Sequence, residues 1–197
     1  ADAERCRILS DRGLRLAREL EDRPAESKVL WNLMLVAYYK EEDRDAAVDY
    51  GEQSLAIAHK HGLEEQLVSI LTDIAKAYFT VGRAEDAWTA LRECDDLLRK
   101  QGNLPMLVDS LITSAGGHYF LGGFTDAQTS AEECGEVSRS IGNTRVQAVS
   151  QYVLGAVYME LGEMGKAIAA LEESVPLVEQ IGWHIPLSAR LRLSIYR

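Results

Sequence analysis

The chain has 197 residues, with 21 Lys and Arg against 31 Asp and Glu, a formal charge of −10 at pH 7. Its cations, among them Arg44, Lys60, Lys76, Arg83, Lys100 and Lys166, are scattered among carboxylates. This excludes a binder of nucleic-acid backbone, which needs a segregated basic face. No run approaches the roughly 18 uninterrupted apolar residues of a transmembrane helix, so no membrane partner is expected. The start Ala1-Asp2-Ala3-Glu4 does not read as a secretory leader, and three widely spaced cysteines, Cys6, Cys94 and Cys134, suit a reducing cytoplasm better than a disulfide framework.

Residues 3–21 carry the pattern of a single helix, through Leu14, Ala17 and a turn at Glu21-Asp22. From residue 23 onward the sequence repeats every 40 residues. Gly62, Gly102, Gly142 and Gly182 form one series; Gly82, Gly122 and Gly162 form a second, half a period away. Two further registers are Ala47, Ala87, Ala127 and Ala167, and Tyr38, Tyr78, His118 and Tyr158. Self-similarity at this length marks stacked supersecondary units.

Within 63–102, Leu67, Val68, Leu71, Ile74, Ala75 and Tyr78 recur at helical spacing, and Gly82 ends that helix by taking a left-handed turn. A second helix follows with Ala87, Ala90, Leu91, Cys94, Leu97 and Leu98, ending at Gly102. The same two-helix plan reads through 23–62, 103–142 and 143–182, in helices of about 17 residues and about 25 Å. Residues 184–197 match a first helix only, through Leu187, Arg190, Leu191 and Ile195. Ten helices are expected, with breaks near residues 22, 42, 62, 82, 102, 122, 142, 162 and 182, in one array running through 1–197. The half units at each end suggest a segment of a longer protein, with Ile8, Leu14, Leu16 and Leu20 at one end and Leu187, Leu191 and Leu193 at the other free to self-associate. Pro24, Pro105 and Pro186 sit at helix starts; Pro176 falls inside a helix and predicts a kink or local break near Glu172–Pro176.

A small residue, an aromatic three positions on and an alanine nine further resembles the tetratricopeptide hairpin. The set runs Leu35-Tyr38-Ala47, Ala75-Tyr78-Ala87, Ala115-His118-Ala127 and Gly155-Tyr158-Ala167. HEAT repeats share the length but not the proline and basic pattern. The resemblance implies an all-α fold, a right-handed superhelical α-solenoid of helix-turn-helix hairpins. Its usual repeat is about 34 residues, and the longer form here is similar to arrays in bacterial signal-transduction and transcriptional regulators. It implies a protein- or peptide-binding scaffold, the sensor or interaction segment of such a regulator, with a structural or self-association spacer as the alternative.

Catalytic chemistry is not indicated, and neither a cofactor nor a metal is expected. Gly162-Glu163-Met164-Gly165-Lys166 lacks the spacing of a phosphate loop. His59 and His61 sit at a helix end, where imidazole serves the exposed carbonyls as well as it would a metal. His118 stands in a tyrosine register, either as packing or as an acid–base group; Cys94 and Cys134 share the small-residue slot of Ser54 and Ser174, which packing explains.

The resemblance places the first helices on the concave surface. The face away from the packing stripe carries Asn32, Val36 and Tyr39, then Thr72, Lys76 and Phe79, then Ile112, Gly116 and Tyr119, then Tyr152, Ala156 and Met159. Lys40 and Phe120 stand at its edge. Aromatics with an adaptable Met suit a binding surface, although the same column could pack neighbouring helices together. Gly116-Gly117 inside a helix costs about 1 kcal/mol per glycine, consistent with a close approach by ligand or helix, or with a kink. Asn32 and Lys40 alone do not rebuild the lysine–asparagine clamp that some family members use, so heat-shock-protein C-termini are not expected as partners.

Overall fold

In a computed structural model, residues 3–40 and 43–181 are described. The described residues form nine helices and no strand: α1 (Ala3–Glu19), α2 (Arg23–Lys40), α3 (Arg44–His61), α4 (Glu64–Thr80), α5 (Ala84–Gln101), α6 (Leu104–Phe120), α7 (Phe124–Ser140), α8 (Thr144–Glu160) and α9 (Met164–Gln180). The expected all-α repeat of helical hairpins is what forms. The tenth helix, the break near 182, Pro186 and the break near residue 42 fall outside the described residues.

The glycine series stops helices for the reason the sequence suggests. Gly62, Gly82, Gly102, Gly122, Gly142 and Gly162 all have φ between 62° and 80°, where a side chain is disfavoured. Past each glycine the next amide reaches back five residues, as in Arg83 N–H to Tyr78 O (2.9 Å) and Glu163 N–H to Tyr158 O (2.8 Å), closing the turn by the Schellman pattern. Glu21 takes the same left-handed conformation after α1 at φ 54°. Asp43, Asn103 and Asn143 cap the helices that follow them, each accepting a bond from a first-turn amide.

Pro176 corrects an expectation. α9 runs unbroken through it. Pro176 removes one helical N–H donor, but it and Glu172, one turn back, are both exposed, so the backbone there is open to water and the helix continues.

Two compact units divide the chain within α5, between Leu97 and Leu98. In the first unit the core is apolar and tight: Leu30, Ile70, Leu71, Ile74, Ala75 and Ala77 are fully buried. Gly51 is there because a Cβ would sit 2.7 Å from the Met34 sulfur and 2.8 Å from Ile74. In the second unit Ala115, Ala131, Leu154 and Ala170 form a cluster flanked by Val153 and Tyr158. Gly155 fits where a Cβ would meet Leu171 at 2.6 Å.

Three hairpins are also clasped by a polar bond from the second helix to the first. The Ser54 hydroxyl donates to Ser27 O (2.8 Å), the Cys94 thiol to Val68 O (3.3 Å), and the Cys134 thiol to Val108 O (3.4 Å). A small polar side chain is needed there because it must reach a backbone carbonyl through a closed interface. Burial pushes the Cys134 thiol up to about 12, consistent with an inert packing residue. No helix of the described residues is long and apolar enough to cross a membrane.

Candidate functional site

The first-helix register singled out by the sequence lies along the seam where each first helix meets its own second helix, and its members are graded in exposure. In the first unit, Asn32 and Tyr39 are exposed, Tyr39 by 74%. The Tyr39 ring meets only the edge of Tyr38, with centroids 5.1 Å apart. Half-buried Val36 and Lys40 help line a cavity of about 140 Å³ with Arg7, Leu33, Asp43 and Tyr50.

α4 departs from the expectation. Thr72 is not a groove residue: it is buried, its hydroxyl donates to Val68 O (3.0 Å), and its oxygen lies 3.2 Å from the Cys94 sulfur. A threonine facing a polar cysteine can be sealed inside the hairpin because its hydroxyl finds the carbonyl one turn back. Phe79 is not an exposed ring either. It is half-buried and packs edge-on against Trp88 of α5, at 4.8 Å and 69°, a favourable aromatic geometry. Lys76 is tied to Asp73 at 2.8 Å.

The sequence reading missed the polar link on this face. Trp31 Nε1 donates to Asp73 Oδ2 (2.9 Å) while Asp73 Oδ1 takes Lys76, so one carboxylate joins α2 to α4. Trp31 shares the register of the core residue Leu71, and no motif singled it out. The only available signal was its indole N–H, which needs a partner when partly buried.

In the second unit, Ile112, Tyr119, Tyr152 and Met159 are half-buried, and Ala156 is buried. Phe120 is 85% exposed and Leu121 58%. The Tyr119 ring is ringed by Phe120 (5.6 Å, 74°) and Phe124 (5.9 Å, 59°), and its hydroxyl reaches Glu160 at 3.5 Å. Phe124, at the start of α7, is a site neighbour the sequence reading did not include, because it belongs to a second helix. Helix α6 is continuous through Gly116-Gly117, and a Cβ on Gly116 would meet nothing within 4 Å. Among the described residues none approaches closely there.

The tyrosine register beside this face has a structural role. Tyr78 donates to Glu52 (3.2 Å) under the Arg83 guanidinium, 4.6 Å from the ring centroid. Tyr158 donates to Glu132 (3.0 Å) under Lys166 at 5.4 Å. Burial first, and then the carboxylate, pushes each phenol up to about 12. His118 is half-buried; burial lowers its pKa against the opposing pull of Asp126, which favours neutral imidazole. His59 sits at the C-terminal end of α3 with Nε2 3.4 Å from Glu93. Among the described residues no group of three or more His, Cys, Asp or Glu is placed to hold a metal ion.

Comparison with known proteins agrees with this geometry. A family model of the tetratricopeptide repeat matches residues 148–175, the stretch from within α8 through most of α9. Comparison with curated proteins finds no match. Similar solved structures include BtubC (BKLC) from P. vanneervenii, with a TM-score of 0.82 and 19% identity, covering 94% of this chain and 77% of that one. Aspartyl phosphate phosphatase F from Bacillus subtilis gives 0.75 and 14%, covering 81% of this chain and 42% of that one. A Rap protein complexed with Competence and Sporulation Factor gives 0.74 and 18%, covering 89% and 50%. The chain thus spans half or less of the length of the latter two. Its fold is a tetratricopeptide-type repeat array, an α-solenoid of helical hairpins.

Proposed function

We propose that the chain is a protein- or peptide-binding scaffold, the interaction or sensor segment of a larger cytoplasmic regulatory protein of bacterial type. The observation that carries this reading is the exposure of large aromatic side chains on the first helices of both units, Tyr39 by 74% and Phe120 by 85%. A fold that can bury Leu71 and Ile74 completely leaves these rings in water, and exposed aromatics are what interfaces recruit as anchors. An array of the same fold has been seen complexed with Competence and Sporulation Factor, which supports a partner held by such a face. The reading does not invoke catalysis: the strongly shifted groups Tyr78, Tyr158 and Cys134 are all held away from ionisation at neutral pH.

The test is site-specific photo-crosslinking in the full protein, with the reactive residue at position 39 or 120 and, as a control, at the exposed second-helix position Thr129. The expected result is one defined adduct from positions 39 or 120, absent at 129 and competed by the unlabelled partner. Equal labelling at all three positions, or none, would replace the scaffold with a structural spacer.

A further inference from the structure

The chain twice builds a receptor for its own cations. At Tyr78, Arg83 lies over the ring and also bonds Glu52 (2.8 Å), the carboxylate that accepts the tyrosine hydroxyl. At Tyr158, Lys166 lies over the ring and Glu132 accepts the hydroxyl. A ring face beside a carboxylate is an attractive place for a cation, because the quadrupole and the charge act together.

A third assembly of the same chemistry stands at the end of α6. Tyr119, Phe120 and Phe124 are in mutual ring contact through Tyr119, and the Tyr119 hydroxyl reaches Glu160. Among the described residues no cation lies over these three rings. Phe120 is 85% exposed and Leu121, beside it, 58%. The chain carries a net charge of −10, with ten Asp and Glu against eight Lys and Arg over residues 98–197, so its field favours a basic visitor.

We propose that the Tyr119–Phe120–Phe124 cluster, with Glu160, receives an arginine or lysine side chain of the partner, whose neighbouring aliphatic residue rests on Leu121. This rests on the scaffold reading and names the partner's chemistry: a basic residue beside an apolar anchor.

The probes are two peptides that differ in one atom group, acetyl-Gly-Leu-Arg-Leu-Gly-amide and the same peptide with citrulline for arginine, titrated into the intact chain by NMR. The arginine peptide is expected to shift the Tyr119, Phe120 and Phe124 resonances and to bind about threefold or more tightly than the citrulline peptide. Phe120→Leu, which keeps apolar area but removes the ring, and Glu160→Gln, which keeps shape but removes charge, should each erase that preference. Both positions are exposed, so the unfolding temperature serves as the folding control. Equal affinities for the two peptides, or a preference that survives both substitutions, overturns the proposal while leaving an apolar docking face and the scaffold reading in place. Shifts absent from the cluster overturn it as well. The scaffold reading stands or falls separately, on the crosslinks at positions 39 and 120.

Discussion

One register of the repeat has opposite fates in the two units. In the first, Phe79 folds onto Trp88, Thr72 is sealed against Cys94, and Lys76 is taken by Asp73. In the second, Gly116 faces open space, Tyr119 turns to Phe120 and Phe124, and Phe120 stays in water. The backbone plan is the same, so the difference comes from the residues opposite: Trp88 offers a ring to pack on, whereas its counterpart forty residues later is Gln128. A repeat fixes where a side chain starts, and its neighbours fix whether the side chain is structure or surface. In the first unit α4 has spent this face on internal packing while α2 leaves Tyr39 exposed, and in the second the end of α6 keeps Phe120 available.

The strongest way to break that contrast is to truncate core and face in parallel. Leu71→Ala, at a fully buried site, is expected to cost about 2–5 kcal/mol in denaturant unfolding. Phe79→Ala should follow at about 1–3 kcal/mol, because its ring is half-buried against Trp88. A Phe79→Ala protein as stable as the parent would mean that the first unit's ring is surface after all.

Glycine substitutions sharpen the comparison inside the second unit. Gly155→Ala drives a Cβ to 2.6 Å from Leu171 and should destabilise by about 1–3 kcal/mol. Gly116→Ala meets nothing within 4 Å and should stabilise α6 by about 0.5–1 kcal/mol through helix propensity. Loss of stability at Gly116, read by thermal melting, would reveal a contact that the face is held not to make.

In the first unit, Glu26 is a buried carboxylate between Arg18 (2.8 Å) and Arg23 (2.6 Å). Burial alone would raise its pKa, but bonds to the two guanidinium groups outweigh burial and hold it below its ordinary value of 4.5. A depressed folded-state pKa gives stability that is present above the unfolded pKa and lost as pH falls through the folded one. Glu26→Gln is therefore expected to cost about 1–3 kcal/mol at neutral pH, with the gap to the parent closing below about pH 4.5. A gap that does not depend on pH would remove the ion pair as its cause.

The smallest effect is expected at the most exposed ring. Phe120→Ala should change stability by less than about 0.5 kcal/mol while erasing the preference for the arginine peptide over the citrulline peptide. A large stability loss would make Phe120 part of the fold and erase the contrast between the units.

The sequence by itself determined the local plan. Glycines at fixed spacing can only mean recurrent left-handed stops, because φ near 60–80° excludes most other residues. Helical periodicity then set the helices, their lengths and the stripe from Leu67 to Tyr78 that the core buries. Such signals are local, carried by backbone sterics and by residues within two turns. The same locality explains why a local break was expected at Pro176, where exposure of the helix backbone mattered more than the missing donor. Only the tertiary structure decided which face residues were free. Thr72 and Phe79 were assigned by register and Trp31 was not singled out, yet their roles depend on Cys94, Trp88 and Asp73, which lie 22, 9 and 42 residues away. Burial and pairing are properties of two elements together, and a helical register describes one.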